Sequence, residues 1–147
     1  MITDWLDKFK RHWVEKNLAG VRTLFTEDVE YWETPYKRID GVDNVVDEWR
    51  AVLSQSSISI DTEVVVDDNN AHVVKWKLTY TMDGSDHSWS GLYLVRLSAE
   101  DRCYYFYQVG EKKDPRKDGN LKGKSSIGDT FSIAKTRKKV NKRTGSR

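Results

Sequence analysis

Cysteine and histidine are scarce in this chain of 147 residues, and each shortage narrows what it can be. Cys103 stands alone, so no intramolecular disulfide is available, and a reducing, cytoplasmic setting is expected. It reads as a small strand residue rather than a nucleophile. His12, His72 and His87 lie far apart without ligand-type spacing, so neither a metal nor another cofactor is expected. No apolar run reaches the roughly 18 residues that a membrane span needs. The opening MITDWLDKFK is too charged for a secretory signal. What remains is a length suited to one domain with one core, and an abundance of aromatic residues, six of them tryptophan.

A net charge of +2 conceals a division along the chain. Residues 1–111 carry 12 Lys/Arg against 20 Asp/Glu, while residues 112–147 carry 13 against 3. The second stretch has no Trp or Tyr and is rich in Gly, Ser and Lys. Such a composition buries too little apolar surface to offset the entropy of ordering it. The expected organisation is an acidic domain over 1–111 and a basic, largely disordered tail over 112–147.

Within the domain, Thr3 and Asp4 suit the start of a helix, with Trp5, Leu6, Phe9, Trp13 and Lys16 along one stripe. A short helix follows Asn17. Val29 to Glu33 reads as a strand that Pro35 ends, since proline brings no N–H to a ladder. Gly41 precedes a third helix with Val45, Val46, Trp49, Val52 and Leu53 on its buried face. From Ile58 the apolar period becomes two, the signature of strands. Pairing Glu63 with Lys75, Asp61 with Lys77 and Ile60 with Leu78 satisfies charge and hydrophobicity in one register, through a three-residue loop. A turn centred on Gly84-Ser85 would set Trp76 opposite Tyr93 and Leu78 opposite Gly91. A last hairpin through Ser98 to Asp101 would set Gln108 beside Gly91 and Phe106 beside Tyr93. Three helices and then a long bent antiparallel sheet predict an α+β cone.

LFTEDVEYWETPY, the helix from Gly41 to Trp49, and GLYLVRLSAEDRCYYFYQ together resemble the nuclear transport factor 2-like superfamily in its SnoaL-like, polyketide-cyclase-type branch. The resemblance covers about residues 3 to 110. It implies a cone-shaped α+β barrel with a ligand-sized cavity, and often a homodimer formed through the outer sheet face, here carrying Val65, Val73, Lys75, Lys77 and Thr79. Steroid-isomerase members place a base just before the proline, where this chain has Thr34. Their further tyrosine and acid correspond to Phe9 and Tyr93, so that activity is not expected. The paired-carboxylate arrangement of epoxide hydrolases also has no match on the inner face.

Glu33 is the candidate general base, because the apolar walls of Trp32, Pro35 and Tyr36 would raise its pKa. Strand alternation argues the other way, since one place from Thr34 it should face away from the cavity. Trp13, Trp32, Tyr36, Trp49, Trp76, Trp89, Gly91, Tyr93, Phe106 and Gln108 are the expected pocket wall, suited to a small apolar or cyclic molecule. The same rings also suit a plain core. A second reading is a non-enzymatic interaction module, in which Lys135, Arg137, Lys138, Lys139, Lys142 and Arg143 of the tail bind nucleic acid or another polyanion.

Overall fold

The computed structural model describes residues 1–119. Helix α1 spans Ile2–Val14, one residue ahead of the expected cap, and buries Ile2, Trp5, Leu6 and Phe9. It ends at Val14, so Lys16 is not on its stripe; Lys16 instead turns the chain with φ +56°. Helix α2, Leu18–Arg22, begins where Asn17 Oδ1 accepts the Gly20 N–H at 2.9 Å. Strand β1 (Phe25–Thr34) is longer than its apolar core suggests and turns through Pro35 into a short strand β2 (Lys37–Asp40) that the sequence pattern does not reveal. Helix α3, Val42–Trp49, starts after Gly41 at φ +84° and continues as a 3₁₀ turn over Arg50–Ser54. Its buried face is Val42, Val45, Trp49 and Val52; Leu53 is exposed because the tighter 3₁₀ turn rotates it outward.

Strands β3 (Ser56–Asp67), β4 (His72–Met82), β5 (Ser85–Leu97) and β6 (Cys103–Lys112) complete a six-stranded sheet ordered β2-β1-β6-β5-β4-β3. All neighbours are antiparallel except β1 and β6. The sheet bends without closing, and α1 and α3 cover its concave face, giving the α+β cone.

Between β3 and β4, Glu63 meets Lys75, Asp61 meets Lys77 and Ile60 meets Leu78, while a register shift between Val64 and Val66 lengthens the loop to Asp68–Ala71. Between β4 and β5 the register differs from expectation by two residues: Trp76 meets Gly91, Leu78 meets Trp89 and Val74 meets Tyr93. The turn is centred on Asp83-Gly84, both left-handed at φ +54° and +74°, which matches the twist of a two-residue hairpin. The β5–β6 pairing also moves by two, because the loop extends through Arg102 and the ladder shifts after Arg96. Gln108 therefore lies opposite Tyr93, Phe106 opposite Val95, and Gly91 opposite Gly110.

The core is aromatic. Phe9 lies edge-on to Trp49 (5.3 Å) and Tyr93 (5.6 Å), and Tyr31 stacks on Phe106 at 4.8 Å. Geometry of this kind adds to simple burial.

Candidate functional site

Two adjoining chambers lie between the sheet and the helices. Trp13, Glu33, Gln55 and Gln108 border both. The first, about 110 Å³, is walled by Phe9, Tyr31, Glu48, Trp49 and Val52. The second, about 270 Å³, is walled by Thr34, Pro35, Trp76, Leu78, Tyr80, Trp89, Tyr93 and Gly110.

Glu33 enters this space because it shares a strand face with buried Tyr31. The expectation that it would face away, drawn from Thr34, fails because β1 turns Val29, Tyr31 and Glu33 inward in regular alternation, and the departure is at Thr34, at the strand end. There the β1–β2 ladder shifts between Trp32 and Thr34, and both Glu33 and Thr34 border the cavity. Gln108 fixes this corner: its Nε2 donates to the Glu33 backbone carbonyl at 2.8 Å. Burial, followed by the nearby Glu48 carboxylate, raises the Glu33 pKa to about 7; the Tyr31 hydroxyl and the Lys37 ammonium oppose the rise. Glu48 is itself bound to Lys37 at 2.9 Å on the rim. Burial and then the Glu33 charge push the Tyr93 hydroxyl well above the ordinary tyrosine range. Near neutral pH, then, the one carboxyl shared by both chambers can donate or accept a proton.

Of the residues expected in the wall, Trp13, Trp49, Trp76, Trp89, Tyr93 and Gln108 border the cavity. The other four do not. Trp32 is on the opposite face of β1, where its indole donates to Glu30 at 2.8 Å beneath Arg38. Tyr36 is 97% exposed, because the tight β1–β2 turn carries it outward. Phe106 lies behind the wall, stacked on Tyr31. Gly91 faces backbone: a Cβ there would sit 1.9 Å from the Val109 carbonyl oxygen. The glycine that does border the cavity is Gly110, over which the Trp76 ring lies.

Tyr31, Glu48 and Gln55 were missed from the sequence. Tyr31 was legible as the residue two places before Glu33, and Glu48 as the acid beside Trp49. Gln55 gave no signal, although it accepts the Trp13 N–H at 3.0 Å and is itself buried. Cys103 is buried, its thiol pKa pushed up by that burial and its Sγ 3.1 Å from the Tyr105 carbonyl oxygen. Among the described residues no cluster of His, Cys, Asp or Glu could hold a metal, and no helix is long and apolar enough to cross a membrane. Lys135, Arg137, Lys138, Lys139, Lys142 and Arg143 lie outside the described residues.

No curated protein matches the chain. Among solved structures, an NTF2-like protein of unknown function from Exiguobacterium sp. 255-15 is similar at TM-score 0.63 and 18% identity, over 73% of this chain and 98% of that one. An LEH-like epoxide hydrolase of M. tuberculosis gives 0.60 and 10%, over 74% and 80%. The epoxide hydrolase/cyclase-like enzyme SalBIII, of pyran ring formation in the polyether salinomycin, gives 0.66 and 12%, over 74% and 89%. At such identities these likenesses establish the fold. The sequence profile of the SnoaL-like domain matches residues 6–106, most of the cone just described, and the chain belongs to the SnoaL-like family.

Proposed function

We propose that the cone binds a small, largely apolar or cyclic molecule and performs acid–base chemistry on it through Glu33. One observation carries this reading: a carboxyl with a pKa near 7 borders both chambers of an aromatic cavity. A group poised near neutrality can take a proton from a carbon acid or give one to a leaving oxygen. The epoxide hydrolase and the cyclase-like enzyme with the same fold are consistent with a reaction class of isomerisation, cyclisation or hydration.

A thermal-shift panel of steroids, aromatic polyketides, terpenoid epoxides and lactones tests the binding. A ligand at about 100 times its dissociation constant adds about 2.7 kcal/mol of stability. Turnover of a hit should be lost in Glu33→Gln while binding persists. A panel without any shift counts against the reading.

Two further expectations stand as proposals. A homodimer through the outer sheet face is favoured by Leu92 and Val109, paired neighbours that are both exposed there; sedimentation of Leu92→Lys against the parent tests it. Polyanion binding by the tail is favoured by its charge, and removal of residues 112–147 tests that.

A further inference from the structure

Among the described residues, the two chambers are bordered by two carboxyls, Glu33 and Glu48, and by no lysine, arginine or histidine. The first chamber holds both carboxyls, together with the rings of Phe9, Trp13, Tyr31 and Trp49. Glu48 is answered in part, since its Oε2 binds Lys37 Nζ at 2.9 Å, but that lysine sits on the exposed rim. Glu33 has no ion-pair partner among the described residues, and Lys37 acts on it more weakly than the opposing Glu48 charge does. Four buried polar atoms are closed off without a partner there: His12 Nδ1, Trp49 Nε1, Trp76 Nε1 and Tyr93 Oη. The Glu33 carboxyl is not one of them, and it stays open to the chamber beside the Tyr31 hydroxyl.

A carboxylate in an apolar setting is normally matched by a cation. The faces of aromatic rings also attract positive charge. Both features of the first chamber favour a cation and neither favours an anion. From this charge pattern we infer that the ligand of the cone carries a basic amine, whose ammonium group sits among Glu33, Glu48 and the aromatic wall of the first chamber. Its apolar or cyclic body then fills the second, larger chamber. The inference rests on the reading of the cone as a ligand pocket with Glu33 as its acid–base group, and it names the class of molecule held there. Binding and protonation are then coupled. In the empty cone burial and Glu48 oppose the charge on Glu33. An ammonium beside it favours the charged form, so binding expels the proton and leaves the carboxylate ready as a base.

The test is calorimetric titration of the full chain with three probes of one skeleton: 1-adamantylammonium, 1-adamantanol and adamantane-1-carboxylate. At about pH 8 the ammonium should bind about tenfold more tightly than the alcohol, and the carboxylate more weakly than either. At about pH 6 the ammonium should lose about tenfold in affinity while the alcohol holds its own, because only the cation must displace the Glu33 proton. Titration in two buffers of different ionisation enthalpy should register that proton leaving. Glu33→Gln should bring the ammonium down towards the alcohol and remove the pH dependence. Equal binding of ammonium and alcohol by the parent protein overturns the inference while leaving the pocket reading intact. The tightest binding by the carboxylate overturns it as well. Binding of none of the three overturns both. The parent comparison decides the matter even if the variant fails to fold.

Discussion

Gln108 holds Glu33 by the backbone: its amide donates at 2.8 Å to the Glu33 carbonyl across 75 positions of sequence. The parallel ladder between β1 and β6 ends at Trp32 and Tyr107, so this side chain continues the pairing one step past the last matched residues. It leaves the Glu33 carboxyl free for the cavity. In Gln108→Leu that carbonyl loses its partner in a half-buried place, and the unfolding free energy should fall by about 1–2 kcal/mol. Urea denaturation of parent and variant measures the difference.

Glu33 makes the protein's stability depend on pH in a direction opposite to that of most carboxylates. Its pKa is raised from 4.5 to about 7 on folding, so the folded state holds the proton more tightly than the unfolded chain. Below pH 4.5 both states are protonated and nothing is lost. As pH rises towards 7, the unfolded chain releases its proton first and stability falls, by up to about 3 kcal/mol. Glu33→Gln should therefore melt higher than the parent above pH 7 and show no such advantage below pH 4.5. Scanning calorimetry across that range would show the two curves separating.

The rim pair should tune the same proton from outside. Removing the Glu48 charge, as Glu48→Gln, takes away a like charge and should lower the Glu33 midpoint; Lys37→Met removes an opposing charge and should raise it. Carbon-13 detection of the Glu33 side-chain carboxyl during a pH titration reads both. Shifts of the same sign in the two variants would contradict the assignment.

Two paired glycines predict unequal effects. A Cβ at Gly91 would lie 1.9 Å from the Val109 carbonyl oxygen, so the β5 or β6 backbone must move; Gly91→Ala should cost about 3 kcal/mol or more. At Gly110 the new methyl would meet the Trp76 ring at 2.7 Å. That ring can shift into the second chamber, so Gly110→Ala should cost about 1–2 kcal/mol and shrink the space for a ligand. Chemical denaturation ranks the two, and a change in tryptophan emission is expected in Gly110→Ala.

The cone and its inward face were legible from periodicity, while the pairings within it were only partly so. Glu63–Lys75 and Asp61–Lys77 marked the β3–β4 register because a slip by two in either direction would keep only one of the two charge pairs. No such marker exists on β4, β5 and β6. There the inward positions are aromatic or apolar at nearly every second residue, so sliding by two keeps the same residues inside and looks equally good. That is how Gly91 was expected in the pocket wall, where Gly110 stands instead. Glu33 was hidden for another reason. Its face was judged from Thr34, whereas Val29, Tyr31 and Glu33 alternate inward and Thr34 also borders the space, where the β1–β2 ladder is irregular. Gln55 lay beyond reach, because its burial depends on where α1 places Trp13.

The parallel contact between β1 and β6 also ties together distant parts of the chain. The acid sits near the first quarter of the chain, and the strand that flanks it is the last one of the sheet. Each hairpin between β3 and β6 can form from neighbouring sequence, whereas this pairing must close a loop spanning most of the domain. Until β6 has been made and has docked, Glu33 lacks the Gln108 clamp on its backbone. The site therefore belongs to the assembled domain and to no single hairpin within it.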